Sequence, residues 1–526
     1  MNKFLFLCHN HEKMRKDIEM KRQFTKQFCI VMAALMLFSS VVSFSSCSTG
    51  DNSVSTNDVT TSFVTSEVTL EEDHRFDNVD FEGREFRIYT SSNALSMMES
   101  SNELIEGSGM MGGGAVSDAV YERNIHVEEL LDVSLVFTQI DLRYDYVAAD
   151  IRKLTSSGTN DYDLVINDIY AFSELIAEGH FRNVMDDECV FDFERSYWYK
   201  DYMDDLRLMD GYQYLLAGDY FIDVLRTASI LLLNKDIYTD FYHRSADEIY
   251  DVVLNYEWTY EKLTSIISEV YIDKNGDSNR NQGDVFGYLD GASYWGATIP
   301  YAVSGATNYI SRDEEGIPTI VIHEGDRANQ LVSAIRNILN NDSTFLYKEG
   351  SVLPLFAEGQ ALISGGASLG SLEHGDIRNM TSDIAVLPYP MLFASDKKYI
   401  TPAHDTTEMG VILASATDLK FISTVVEVLN RETSNILLPI YYEETLQIQL
   451  VDDEKAAAMI DIIHDNYDNS FILAYNSSLS GCILQSFWHA AENDRTFSAV
   501  YKSNERVVAK KMESMVRLFK KKNGLM

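Results

Sequence analysis

Short apolar runs alternate with helix-type stretches along most of this chain, and that alternation restricts the possible folds more than any other feature. Residues 85–90, 133–138, 162–167, 229–233, 360–364 and 383–387 read as strands, because they are short, apolar and bounded by turn-forming residues. A helix is predicted from Ser117-Asp118, both good N-cap types, through Tyr121, Ile125 and Leu130. Others are predicted over 146–154, 247–253 and 261–270, and the part beyond the last strand is mainly helical. Apolar strands separated by helices imply parallel sheets covered on both faces. The expected class is α/β, and the roughly 450 residues that carry the pattern exceed a single core, which calls for two lobes. In open sheets of this type ligands bind beyond the carboxyl ends of the strands.

The first 46 residues do not read as part of that body. Lys21, Arg22 and Lys26 lead into an apolar run over 28–44, followed by Ser45-Ser46-Cys47, the order of an export signal. The run is shorter than the roughly 20 residues a membrane-crossing helix needs. Cysteine after two small residues resembles the lipobox of bacterial lipoproteins, with Phe44 standing where that pattern prefers leucine. The resemblance implies lipidation of Cys47 and attachment to the outer face of the cell membrane. Met14 and Met20 are alternative starts. Residues 47–75 are rich in Ser, Thr, Asp and Glu with no apolar period, so they are expected to form a flexible tether.

Charge narrows the partners. The chain has 43 basic and 81 acidic residues, net −38; taking off the +4 of residues 1–46 leaves −42. That excludes a broad nucleic-acid footprint and disfavours anionic lipid surfaces. Beyond the signal only Cys47, Cys189 and Cys482 remain, too few for a disulfide framework.

The order of segments resembles the extracellular solute-binding proteins that include maltose-binding protein, lipoprotein components of ABC importers. The resemblance rests on Asp161-Tyr-Asp-Leu-Val-Ile-Asn-Asp168 with Leu175-Ile-Ala-Glu-Gly179, on Ser229-Ile-Leu-Leu-Leu-Asn-Lys-Asp236 and on Trp258-Thr-Tyr-Glu-Lys-Leu263. It continues through Phe356-Ala-Glu-Gly-Gln-Ala-Leu362, Ile384-Ala-Val-Leu-Pro388 and Ser486-Phe-Trp-His489. It implies a two-lobed periplasmic-binding-protein-like fold of type II, with a ligand cleft between lobes joined by a hinge. The corresponding division is lobe 1 over 76–225, lobe 2 over 226–388, a return to lobe 1 over 389–450 and lobe 2 helices over 451–526.

It also implies a monomer that binds a small molecule, expected to be a carbohydrate, and hands it to permease subunits. A sugar needs aromatic platforms for its C–H faces and planar acids and amides for its hydroxyls. The resemblance points to Trp488, to Tyr294 and Trp295, to Asn167 and Asp168 at a strand end, to Ser92 and Asn93 after the first strand, and to Asp219 near the hinge. The alternatives are core packing for the aromatics and capping or surface roles for the acids. Tyr197-Trp198-Tyr199 is expected to pack a lobe surface instead.

A separate feature is the segment 273–284, where Asp273, Asn275, Asp277 and Asp284 stand at positions 1, 3, 5 and 12 of a calcium-type loop and Asn279 offers a backbone carbonyl at position 7. A helix over 261–271 ahead of it would make the loop EF-hand-like. Gly276, Ser278 and the short final acid depart from that pattern, and an Asx-rich turn is the plain alternative. Calcium here would be structural; no other cofactor is expected. Gly107-Ser-Gly109-Met-Met-Gly112 matches GxGxxG in letters but follows no suitable strand. HExxH and GxxxxGK do not occur, and no enzyme is expected. A glycoside hydrolase, or a sensor or adhesion protein on the same fold, are the rival readings.

Overall fold

The computed structural model describes residues 73–91, 102–291, 294–305, 308–404, 406–446, 454–468 and 470–526. The signal, Cys47 and nearly all of the tether, together with Ser92 and Asn93, lie outside the described residues, as do the side chains of Tyr294 and Trp295.

The chain opens with β1 (Arg84–Ser91), α1 (Ala115–Leu131), β2 (Val133–Ile140), α2 (Tyr144–Ser157), β3 (Leu164–Asp168) and α3 (Ile169–Glu178). After α4 (Asp223–Arg226) it builds β4 (Ser229–Asn234), α5 (Tyr260–Ile267), β5 (Tyr271–Ile272), β6 (Val285–Gly291), α6 (Tyr294–Ala297) and α7 (Ile299–Ser304). The hairpin β7 (Ile310–Arg312) and β8 (Pro318–Ile320), α8 (Arg327–Leu339), β9 (Thr344–Tyr347), β10 (Ala361–Ser368) and β11 (Ile384–Leu387) follow. The last part holds β12 (Glu408–Val411), α9 (Leu419–Glu432), α10 (Leu438–Leu446), α11 (Glu454–His464), α12 (Cys482–Glu492) and α13 (Glu505–Lys522).

Two sheets carry the architecture. One has the order β12-β3-β1-β2, the other β11-β4-β10-β6-β5 with β9 also on β6. Every residue of β3 is buried, as are five of the six in β4, which is why both read as unbroken apolar runs. Gly179, at φ +76, ends α3: its amide and that of His180 bond back to Ile176 and Leu175, a left-handed stop that glycine adopts without strain. Thr259 caps α5 through the Lys262 amide at 3.2 Å, as its place before a helix leads one to expect.

Directions within the sheets fix where a site can lie. In the first sheet β1, β2 and β3 run parallel and β12 opposes β3, with Glu408 opposite Asp168. One edge therefore presents Ser91, Ile140, Asp168 and Glu408. In the second, β6, β9 and β10 run parallel and β4 opposes β10 and β11, so Gly291, Tyr347, Ser368, Leu387 and the start of β4 share an edge. The chain crosses between these two edges at 219–228 and again at 388–407. Both crossings are tied together: Thr227 Oγ1 lies 2.6 Å from Thr407 Oγ1, and the Ser229 amide donates to Pro402 at 2.8 Å. Together they form a hinge between the carboxyl edges of the two sheets.

Several sequence expectations change. α1 starts at Ala115, and Asp118 instead reaches back to the amides of Gly112 and Gly113 at 2.6 and 3.1 Å. The helix expected over 261–270 stops at Ile267, and β5 follows; paired with β6, it makes the 273–284 loop the tip of a hairpin, not the middle of a helix–loop–helix. Tyr197, Trp198 and Tyr199 do not cover a surface: they are buried, with Tyr197 and Trp198 donating to the buried Glu427 carboxylate. Cys189 and Cys482 are both free thiols. Among the described residues no helix is long and apolar enough to cross a membrane.

Candidate functional site

The edge of the first sheet brings acids together. Asp168 ends β3 at the N-cap position of α3 without a side-chain cap bond, and it is buried opposite Glu408. Asn167, one residue earlier, is fully buried opposite Met409. The Glu408 amide donates to Asp223 Oδ2 at 2.9 Å, which links this edge to the hinge helix α4. Burial, with Glu408 adding to it, pushes the Asp223 carboxyl up to about 7 against the pull of Arg226.

Arg226 is the cation of this region. Its Nε and Nη2 donate to the two oxygens of Glu373 at 3.0 Å each, a bidentate pair, and Asp223 stands 3.5 Å away. Burial disfavours the guanidinium charge, but Glu373 and Asp223 outweigh it and hold the charge in place. Glu373 belongs to the short 3₁₀ turn Leu369–Glu373 after β10, and Tyr441 of α10 donates to it at 2.5 Å. Hinge helix, second sheet and the helix after α9 thus meet in one knot. No motif marks it in the sequence, since the three residues lie far apart.

The edge of the second sheet is different in kind. Asp290, at the carboxyl end of β6, is fully buried and accepts from Tyr288 OH and the Gly291 amide, each at 2.7 Å. Tyr301 donates to Tyr288 at 2.7 Å, so two phenols and the acid form a chain, and the Tyr389 ring packs edge-on against Tyr301 at 4.9 Å. Burial pushes the Asp290 carboxyl up to about 7, opposed by the Tyr288 bond. Gly365 and Gly366, at a break in the β10–β4 register, lie directly over it; a Cβ on Gly365 would come within 2.3 Å of Asp290 Oδ2. Only glycine lets the strand approach this closely. α6, which holds Tyr294 and Trp295, packs against β6 and β10 beside this edge.

The other sequence-derived positions are dispersed. Asp219 is buried at the hinge, 3.8 Å from His464 Nε2, and the Tyr199 ring packs against His464 at 5.1 Å. Burial works against charge on His464, but Asp219 and Asp465 raise it to about 9. Trp488 is half-buried on α12, a helix that packs on α7 and α8 rather than on either sheet edge. In the 273–284 loop, Asp273 accepts the amides of Gly276 and Ser278 at 2.7 and 2.9 Å, and Asn275 Oδ1 accepts that of Asp277 at 2.8 Å. Asp277 accepts the Asn279 amide at 2.7 Å and Asp284 those of Lys274 and Asn281 at 3.2 Å. Among the described residues no group of three or more His, Cys, Asp or Glu is arranged to hold a metal ion.

No protein-family model and no curated protein matches the chain. Solved structures do. A cyclo/maltodextrin-binding protein complexed with maltotetraose superposes with a TM-score of 0.54 at 10% identity, over 82% of this chain and 98% of that one. The GacH receptor of Streptomyces glaucescens gives 0.48 at 10% identity, over 83% and 99%. An ABC substrate-binding protein from Listeria monocytogenes, in complex with cycloalternan, gives 0.47 at 14%, over 84% and 100%. The first of these carries the comparison, and what it establishes is architecture. The chain has the two-lobed α/β fold of maltodextrin-binding solute-binding proteins.

Proposed function

We propose that the chain is the extracytoplasmic substrate-binding component of an ABC importer and that it takes a carbohydrate, of oligosaccharide size, between the two carboxyl edges. The observation that carries this reading is the pair of sheet edges joined by a single hinge, in a fold shared with a protein complexed with maltotetraose. Ligand bridging the edges stabilises the closed arrangement, which the permease subunits then recognise. Acids at the first edge and tyrosines at the second suit a ligand of hydroxyls and flat C–H faces. Cys47 is proposed to carry the lipid that holds this monomer at the outer face of the membrane, and mass spectrometry of the mature N-terminus tests it directly.

Trp488, Tyr294 and Trp295 are the proposed stacking platforms, with Asp168, Asn167, Asp219, Ser92 and Asn93 as hydrogen-bonding partners. Titration of the full chain with maltotetraose and longer linear and cyclic maltodextrins tests the reading, and Trp488→Ala is expected to weaken binding about tenfold or more if the indole stacks on sugar. An unchanged affinity removes Trp488 from the site. The 273–284 loop is proposed to take calcium as a structural ion through Asp273, Asn275, Asp277, the carbonyl of Asn279 and Asp284.

A further inference from the structure

The lobes also meet through residues outside the two crossing segments. The β7–β8 hairpin lies in the chain between β6 and β9 of the second sheet, and Tyr309 at its base bonds the α7 carbonyl of Ala302 at 2.6 Å. Its tip reaches a segment of the first lobe, residues 205–215, which is anchored there by Leu216 pairing with Gly410 of β12. Arg312 puts its guanidinium among main-chain carbonyls of that segment: Nη2 donates to Asp205 at 2.7 Å and Nη1 to Arg207 at 2.8 Å, while Nη1 also holds the hairpin's own Gly316 at 2.8 Å. The Asp210 amide donates to Glu315 at 3.0 Å, and a Cβ on Gly316 would come within 2.7 Å of the Asp210 backbone nitrogen, so the two backbones meet without a gap.

The last helix reinforces the same contact. α13 packs on α3 of the first lobe and on β8 of the hairpin. Phe519 is fully buried with its ring edge-on to Tyr212 and Tyr214, at 5.5 and 6.0 Å, and Tyr214 OH donates to Asn523 at 2.8 Å. The segment before α12 joins in, with the Phe471 amide on Asp205 Oδ2 at 2.7 Å and Tyr475 OH on the Leu206 carbonyl at 2.9 Å.

We propose that the β7–β8 hairpin and α13 form a second, non-covalent junction between the lobes that limits how far they can open about the hinge. A guanidinium fork aimed at fixed carbonyls tolerates little sliding, and a fully buried ring between two tyrosines leaves no room for rotation without opening a cavity. Lobes held only by crossing segments swing freely; lobes held here as well have one resting separation. The junction acts on the body of the protein, so it holds whatever the ligand is.

Spin labels on cysteines introduced at Tyr146 and Glu349, both exposed and just beyond the carboxyl ends of β2 and β9, report the separation of the two edges. They are placed in the full chain with its native cysteines replaced by serine. The expected result is a single narrow distance distribution that at least doubles in width with Arg312→Ala and again with Phe519→Ala, while Arg312→Lys, a point charge in place of the fork, widens it less. Arg312→Lys keeps the test alive if the alanine variant does not fold. Glu315→Gln, which breaks only the exposed pair with Lys520, is expected to leave the width unchanged. Distributions as narrow in Arg312→Ala, Arg312→Lys and Phe519→Ala as in the parent would overturn the proposal.

Discussion

Two buried carboxylates, Glu427 in the first lobe and Asp290 in the second, are provided for in opposite ways. Glu427 sits inside α9 and receives the Arg75 guanidinium at 2.8 Å, Tyr197 OH at 2.9 Å and the Trp198 indole at 3.0 Å. Burial raises its pKa, while Arg75 and these donors pull against the shift. Asp290 has a phenol and one amide, and among the described residues no cation pairs with it. Glu427 lies within the body of its lobe; Asp290 lies at the strand end that faces the hinge. A buried acid given a cation and a full set of donors is part of the scaffold. One left without a cation at a strand's carboxyl end keeps capacity for something that arrives later.

That contrast breaks most readily at Glu427. Glu427→Ala removes the acceptor of four donors, the Asp192 amide at 3.3 Å among them, and leaves Arg75 paired with Asp73 alone, and is expected to cost about 3 to 5 kcal/mol in urea unfolding. A loss under about 1 kcal/mol would mean the cluster is not the scaffold it appears from its bonds.

Asp290 is expected to respond in the other direction. Its folded-state pKa is raised to about 7, well above the carboxylate value of about 3.9 expected when unfolded. The stability linked to this group is therefore fully present below about pH 4, is lost as pH rises toward 7 and stays flat beyond. Asp290→Asn mimics the protonated acid, so the variant is expected to gain on the parent across that window, by roughly 3 kcal/mol at neutral pH. Unfolding curves that keep the same offset at pH 4 and pH 7.5 contradict the assignment. The same variant is expected to weaken ligand binding while it stabilises the fold, the combination that separates a site acid from a scaffold acid.

The knot at the hinge sharpens the comparison by supplying an intermediate case, acids that do share a cation. Arg226→Met leaves Glu373 and Asp223 facing each other and is expected to cost about 2 kcal/mol, and adding Glu373→Gln is expected to recover part of it; a double-mutant cycle reads the coupling. The smallest effect is expected from the 273–284 loop. Calcium in excess over its Kd should raise the melting temperature by a few degrees relative to chelator, and equal melting temperatures with and without the ion leave that segment an Asx-turn hairpin tip.

Much of the scaffold was readable beforehand, for a physical reason. β3, β4 and β11 are buried along nearly their whole length and so appear as apolar runs. β6 was not read, because Gly287 and Asp290 interrupt its apolar character; Gly287 packs so closely that a Cβ would meet the Ile267 carbonyl oxygen at 2.0 Å. β12 escaped for a similar cause, being four residues with a glutamate and with Gly410 packed under Phe221. Missing β6 concealed Asp290, whose place at a strand end is what marks it. Asp168 and Asp219 were legible because their strand end and crossing were legible. Arg226, Glu373 and Tyr441 were not, since only the fold brings the three together.

On the proposed reading the two edges hold an oligosaccharide without altering it. The most direct measurement is a thermal-shift titration of the full chain with maltotetraose and related linear and cyclic glucans, with the sugar recovered and weighed by mass spectrometry. A saturable rise in melting temperature with the sugar recovered intact is expected. No shift with any sugar of the series, or recovery of shortened sugar, contradicts it.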